Sequence, residues 1–477
     1  MFKFFTMRLF IIIIAAVLIS GCATVKPAQL PEELALPESV DGRNGDFREL
    51  IDEFFNDQHL RALIDTALTN NFDVKQAMQR IQVAAANTRI VHAGRLPQVA
   101  AVAGAGFDRY GRYTMDGVGN FDTNFSPNID KDQRIPDPVG DFFLGFRSSW
   151  EIDIWGKLKD RRTAAHARYL ASEQGRKWVE TQLVADIAQY YYALLALDDQ
   201  KEILARNIEL QHRGYELIES QMLGGRATAL AVRQFKAQLL HNQGAAISVR
   251  QTITETENTL NYLLGKFPDS VYRDTVFLQK PIPSIVEQGV PSELLLRRPD
   301  IQEAELELIA TKADVQSARK AFFPSLSLNP YIGLNAFKLP LMISGSSIAA
   351  GLASSLAAPV FNRAALNSEM GIANASQFNA FYEYQEKIVY AYQEVSTLLK
   401  AMDNLQEAYA LKTQEVETLT AAVATATDLY LAGYASYLEV IMAQGSVLNA
   451  ELEQITLKQE IFNTLINLYR SVGGAAE

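Results

Sequence analysis

Two hydrophobic periods divide the chain. Leu144, Phe146, Ser148, Trp150, Ile152 and Ile154 alternate with Phe143, Gly145, Arg147, Ser149, Glu151 and Asp153. Leu326, Leu328, Ile332 and Leu334 alternate in the same way with Ser325, Ser327, Asn329, Tyr331, Gly333 and Asn335. A period of two predicts strands with unlike faces. Val99–Tyr110 and Ile348–Ala358 alternate more weakly and read as their hairpin partners. Each of the four has about the 9–11 residues a tilted strand needs to cross a hydrocarbon core. Trp150 and Trp155 suit an interfacial aromatic girdle and equally a buried core. Segments 111–138 and 338–345 read as outer loops, the first rich in Asn, Asp and Gly.

The other period is helical. No proline occurs between Val139 and Phe267, and none after Pro359. An interior proline costs a helix about 3 kcal/mol, so these tracts, dominated by Ala, Leu, Gln, Glu and Lys, predict long helices. Gly224-Gly225 divides the first tract and Gly433 the second, which predicts two helical hairpins. The stretch from Gly156 to Leu223 would run for roughly 100 Å as a helix, against an average of roughly 11–12 residues for globular helices. Phe378, Phe381, Ile388, Tyr392, Val395, Leu399, Met402 and Tyr409 follow a 3-4 spacing broken at Gln385 and Gln406. That is a coiled-coil seam that needs a neighbour.

The N-terminus adds an address. Lys3 and Arg8 precede an apolar run, Leu9 to Ile19, too short to span a bilayer, and Ile19-Ser20-Gly21-Cys22 follows. The layout is that of a secretory signal (1–21) ending in a bacterial lipobox, with Cys22 the lipidated first residue of the mature chain. Cys22 is the single cysteine of 477 residues, and Ala23 in place of Asp favours sorting to the outer membrane. Without 1–21 the basic residues fall from 44 to 42 against 55 acidic ones, a net charge of −13. No basic stripe suits nucleic acid. After the signal no apolar stretch of 18 residues remains, so any span of a membrane must be made of strands.

Four strands cannot close a membrane barrel, since the smallest single-chain barrels have eight. An open edge in lipid costs several kcal/mol per unpaired backbone group. Assembly follows from this, and subunit number does not. The chain also repeats itself. Asp73-Val74 through Leu96-Pro97 matches Asp300-Ile301 through Phe323-Pro324 at a shift of 227, Trp155-Gly156 matches Phe361-Asn362, and Gly225 to Val232 matches Gly433 to Val440. We expect a lipidated segment (22–57), a first repeat (58–275), a linker (276–290) and a second repeat (291–477).

The motifs resemble one family. Leu296-Arg297-Arg298-Pro299-Asp300-Ile301, followed by Phe323-Pro324-Ser325-Leu326, is similar to the signature of TolC-type outer-membrane efflux proteins. So are Trp150 to Gly156, Pro359-Val360-Phe361-Asn362 and Gly433 to Val440. The lipobox places the chain near the lipoprotein branch that includes OprM, CusC and NodT-like proteins. The resemblance implies a mixed α+β membrane protein. Three chains would form a twelve-stranded outer-membrane β-barrel, four strands from each, continued by a long periplasmic α-helical barrel. It implies a homotrimer in outer-membrane lipid, a periplasmic adaptor protein, an inner-membrane RND-type pump, and no cofactor, metal or catalysis. Arg298, Pro299, Asp300, Pro324, Pro359 and Phe361 are the structural motif. Pro299 and Asp300 also suit a helix N-terminus on their own account.

The resemblance further implies a periplasmic gate at the helix turns, Leu223–Leu230 and Tyr430–Val440, with Gly225 and Gly433 in the turns. Tyr430 resembles a gate tyrosine that holds the tip closed, and Glu439 a pore-facing acid. Ala435 and Met442 stand where a gate arginine and a second acid are expected, which leaves Arg226 as a substitute cation. Three Glu439 carboxylates would then form a ring favouring cationic permeants. The cargo expected first is drugs, with copper or silver next and a type I protein-secretion role third; seven scattered mature methionines form no soft-ligand cluster. A lipid-anchored hydrolase is disfavoured, since His59, His92, His166, His212 and His241 form no HExxH pair and neither GxSxG nor a P-loop occurs. A pore-free coiled-coil lipoprotein would have no use for the alternating strands.

Overall fold

The computed structural model describes residues 27–37, 39–40, 57–273, 276–282, 290–359 and 363–474. The expectations for Cys22 and Phe361 lie outside these residues. The elements are, in order, β1 (Ser39–Val40), α1 (Gln58–Asn70), α2 (Phe72–Ala93), β2 (Gln98–Asp108), α3 (Met115–Thr123), β3 (Val139–Ile152), α4 (Lys157–Leu223) and α5 (Ala229–Leu263). There follow β4 (Val290–Pro291), α6 (Pro299–Lys320), β5 (Ser325–Ala336), β6 (Ile348–Ala357), α7 (Arg363–Leu431) and α8 (Tyr437–Ser471). They form two compact units. One comprises 83–169 and 306–381 with the chain up to Pro31; the other comprises 32–82, 170–305 and 382–477. Among the described residues no helix is long and apolar enough to cross a membrane.

The first unit holds a four-stranded antiparallel sheet in the order β2-β3-β5-β6. The register pairs Leu144 with Leu334, Phe146 with Ile332 and Ile332 with Ala350, so the apolar residues of neighbouring strands share one face. Val99, Phe107, Phe146, Ile332, Ile348, Leu352 and Leu356 on that face are all exposed. The opposite face carries Gln98, Asp141, Arg147, Ser149, Ser327, Asn329 and Asn335. Among the described residues no strand pairs with the outer edges of β2 and β6.

Two boundaries depart from expectation. β3 stops at Ile152 because Asp153 turns its carboxylate to the start of α4, accepting from the amides of Leu158 (3.0 Å) and Lys159 (2.7 Å). That satisfies two of the free N–H groups at a helix start. The loop 111–138 contains α3, whose first turn is capped by the Thr114 hydroxyl accepting from Gly117 N–H at 3.1 Å. Trp150 and Trp155 are not simple girdle residues. Their indole N–H groups donate to the carbonyls of Arg95 (2.9 Å) and Pro324 (2.7 Å), and Trp155 stacks on Phe323 with ring centres 5.1 Å apart. Where α4 meets α6 in this unit, Ala164, Ala167, Ala310 and Ala313 make a core of small side chains.

The second unit is helical, with a short β1–β4 pair. Its core gathers Ile187, Tyr191, Tyr192, Leu194 and Leu195 of α4, Ile388, Val395, Leu399 and Met402 of α7, and Ile455, Ile461, Phe462 and Leu465 of α8. Tyr192, Phe277 and Phe462 meet with ring centres between 4.8 and 6.3 Å apart. From Ile388 to Met402 the neighbour that the seam on α7 needs is supplied by the chain's own helices. Its polar break is filled as well: Gln385 is buried and its side-chain oxygen accepts from Leu34 N–H at 2.9 Å. α2 and α6 are both 22 residues long and α5 and α8 both 35. α4 and α7 have 67 and 69.

Candidate functional site

The two helix turns expected to form a gate share one backbone solution. After α4, Gly225 (φ +73°) directs its N–H to Met222 and Arg226 its N–H to Gln221. After α7, Gly433 (φ +80°) bonds Tyr430 and Tyr434 bonds Leu429 in the same pattern. This is the left-handed C-terminal cap that glycine adopts without a Cβ penalty. Thr228 and Ser436 then start the return helices, Thr228 capping Ala231 N–H at 3.2 Å.

The turns lie together in the second unit. Ile218, Ala231 and Phe235 form a small core against which Tyr215, Tyr430, Tyr437 and Ile441 pack. The Tyr430 hydroxyl donates to Gln221 Oε1 across a sequence separation of 209 residues. Glu439 turns back on its own helix start. Its carboxylate accepts from the Ser436 amide at 2.7 Å and from the Ser436 hydroxyl, completing a capping box. The hydroxyl bond and the helix-start amides hold its pKa below the ordinary glutamate value, so the exposed group is negative at neutral pH. Arg226 is exposed at the other turn.

The Arg298-Pro299-Asp300 motif does more than start α6 at Pro299. Arg298 is fully buried. It binds both Asp300 carboxylate oxygens (3.0 and 2.9 Å), Glu394 (2.8 Å) and the Ser471 carbonyl (2.9 Å). It also lies 5.2 Å from the Trp178 ring. Glu394 is shared with Arg470 at 2.5 Å. Buried Arg298 thus ties α6 to α7 and to the end of α8. Pro324 precedes β5 and receives the Trp155 bond, and Pro359 is half-buried after β6.

One buried clamp escaped the sequence reading. Lys458, 2% exposed, donates to the carbonyls of Leu278 (2.8 Å) and Lys280 (2.6 Å). Asp199 accepts from the amides of Phe277 (3.3 Å) and Leu278 (2.7 Å) on the same segment. Burial lowers the Lys458 pKa to about 8. The signal was available, because 455, 458, 462 and 465 lie on one helical stripe and its other three members are apolar. Among the described residues no group of three or more His, Cys, Asp or Glu stands where it could hold a metal ion.

The chain combines a four-stranded sheet with one exposed apolar face and two long helical hairpins with matched caps. The family model for outer membrane efflux proteins matches residues 63–266 and 290–474. The chain belongs to that family, whose members are outer-membrane channels and not enzymes, and it is an outer-membrane efflux channel. The cation efflux system protein CusC of Escherichia coli O6:H1 is 29% identical over 422 residues, 88% of this chain and 87% of CusC. The pyoverdine export outer membrane protein OpmQ of Pseudomonas putida is 31% identical over 421 residues, 88% of this chain and 87% of OpmQ. A crystal structure of CusC superposes with a TM-score of 0.79 at 27% identity, covering 94% of this chain and 99% of that one.

Proposed function

We propose that three copies of the chain close their sheets into a twelve-stranded barrel in the outer membrane, and that cargo leaves the cell through it. The observation that carries this reading is the four-stranded sheet with an exposed apolar face and two open edges. β2 and β6 have 11 and 10 residues. About half of their backbone groups point away from the sheet, each costing several kcal/mol if left unpaired in lipid. The sum is tens of kcal/mol, well above the roughly 5–15 kcal/mol that holds a domain folded. Pairing β2 of one copy with β6 of the next removes the cost. Three is the smallest number of four-stranded copies that exceeds the eight strands of the smallest single-chain barrels and still leaves a lumen.

The matched helix lengths and the matched caps at Gly225 and Gly433 support two structural repeats, 58–275 and 291–477, joined by the linker 276–290. On this reading the turns form the periplasmic gate and meet an adaptor protein that connects to an RND-type inner-membrane pump. Tyr430 latches the turns of one copy together through Gln221, Arg226 offers a cation beside them, and Glu439 supplies one negative charge per copy. Cys22 anchors the mature N-terminus through lipid. Energy comes from the pump, and the channel is passive. Relatives of equal similarity are named for cation efflux and for pyoverdine export, so cargo follows the pump more than the duct, and drug efflux stays first, ahead of metal efflux and type I secretion.

The test is conductance. The purified mature protein, added to a planar bilayer, is expected to give discrete ohmic steps. Membrane binding without steps would favour the pore-free coiled-coil lipoprotein.

A further inference from the structure

The polar face of the sheet carries a feature that a passive tube does not need. Arg147 of β3 pairs across the ladders with Ala100 and Tyr331, and Tyr331 pairs in turn with Gly351. One level on, Gly145 pairs with Gly333, and beyond that Phe143 pairs with Asn335. Phe143 from one side, and Arg147 and Tyr331 from the other, meet above this floor of glycines. A Cβ at Gly333 would stand 3.0 Å from Phe143 Cζ, and one at Gly351 would stand 2.4 Å from Tyr331 Cε1. Only glycine lets both rings lie down on the sheet.

The result is a plate. Phe143 and Tyr331 meet edge to face with ring centres 6.2 Å apart, and the Arg147 guanidinium covers Phe143 at 4.6 Å. Phe143 is 6% exposed although it stands on an open sheet face, whereas Arg147 is exposed and Tyr331 is 41% exposed. A stacked guanidinium keeps its N–H edge free for a carboxylate or sulfonate.

The positive charge is not cancelled locally. Among the described residues no ion pair joins Arg147. The acids on its face of β3 are Asp141, six residues away, and Glu151, four residues away. At about 3.3 Å per residue they stand about 20 and 13 Å from it, beyond the Debye length of about 8 Å. Glu151 is also engaged by Lys157 at 2.6 Å and Asp141 by the Asn335 amide at 2.8 Å. A groove of about 720 Å³ opens beside the plate, lined by Gln98, Arg147, Asn329, Tyr331 and Asn335 and also by Asp141, whose carboxylate is engaged by the Asn335 amide. That volume is of drug-ligand size.

We propose that this plate is a binding station for flat aromatic anions on the lumen side of the barrel. It selects among permeants by offering an aromatic edge and a guanidinium fork together. The proposal rests on the channel reading above.

The test is block of the current through the full mature protein in planar bilayers. Naphthalene-1,3,6-trisulfonate or sulfate is added at the loop side. In the unaltered protein the aromatic anion is expected to reach half-block at least about tenfold lower in concentration than sulfate, and Arg147→Gln to raise that concentration about tenfold, or 1.4 kcal/mol. Arg147→Lys keeps the charge and loses the planar fork, so it should block with both anions and lose the preference. Arg147 is an exposed residue and the ladders on either side of it are backbone bonds, so the sheet is expected to keep its register in both variants. Steps of normal size with equal block in the unaltered and Arg147→Gln proteins, or a preference retained by Arg147→Lys, would overturn the station and leave the channel standing. Absence of steps in every variant would overturn the channel reading itself.

Discussion

Replacing Arg298 by Met removes the one cation shared by Asp300, Glu394 and the end of α8. The side chains are 2% exposed for Arg298, 13% for Asp300 and 11% for Glu394. In Arg298→Met, the Asp300 carboxylate keeps the Ile301 amide at 3.0 Å, the Asp300 carbonyl keeps Lys387 at 3.3 Å, and Glu394 keeps Arg470. The buried Asp300 carboxylate is thus stripped of both its strong donors. Breaking a buried ion pair by deleting one partner costs about 3–5 kcal/mol, chiefly because the other charge stays buried. Lys at this position should rescue little, since an ammonium cannot present the fork that grips both Asp300 oxygens. The assay is denaturant unfolding of the detergent-solubilised protein followed by helical circular dichroism. We expect Arg298→Met to lie about 3–5 kcal/mol below the unaltered protein, and Arg298→Met/Asp300→Asn to recover at least about 1.5 kcal/mol of it by neutralising the orphan. A single variant within about 0.5 kcal/mol of the unaltered protein, the range of an ordinary surface change, would refute the reasoning, as would a double variant weaker than the single one.

Folded Lys458 releases its proton near pH 8, while the unfolded side chain holds it to about 10.5. In that window the unfolded chain binds more protons, so stability rises with pH; below pH 8 both states are charged and this group adds no slope. Melting curves should show the rise in the unaltered protein and its loss in Lys458→Met; parallel curves would disprove the clamp's titration. Gly433→Ala forces a Cβ into the left-handed region and should cost about 1–2 kcal/mol, read as faster limited proteolysis at the tip, and Gly225→Ala should do the same. Tyr430→Phe loses the bond to Gln221 and should lengthen or enlarge open events in bilayers, with unchanged gating counting against the latch. Glu439→Gln can still form a capping box while losing its charge, so the fold should survive and the cation preference should fall; an unchanged preference ends the ring idea.

The strands were legible because two unlike faces impose a period of two, and Leu144, Phe146 and Ile332 obey it. The long helices were legible because proline is absent where they run, and the turns because Gly225 and Gly433 interrupt them. Pro299 as a helix start followed from its fixed φ. What escaped depends on contacts between distant positions. Nothing near Tyr430 in sequence names Gln221 as its partner, and nothing near Gln385 announces that Leu34 will fill the break. The helix α3 hid behind Gly117 and Gly119, which lower helix propensity. The end of β3 was overshot because Asp153 continued an alternation while serving as a cap. The spacing on α7 shows only that the seam must be covered, not that α4 and α8 of the same chain cover it.

The proposed assembly about a common axis rests on the outer edges of β2 and β6, with which no strand pairs among the described residues. The most direct measurement of it is the mass of the mature protein in mild detergent, by native mass spectrometry or light scattering corrected for bound detergent. A species of three chains that survives dilution is expected. A folded monomer, stable and with its sheet intact, would contradict the assembly.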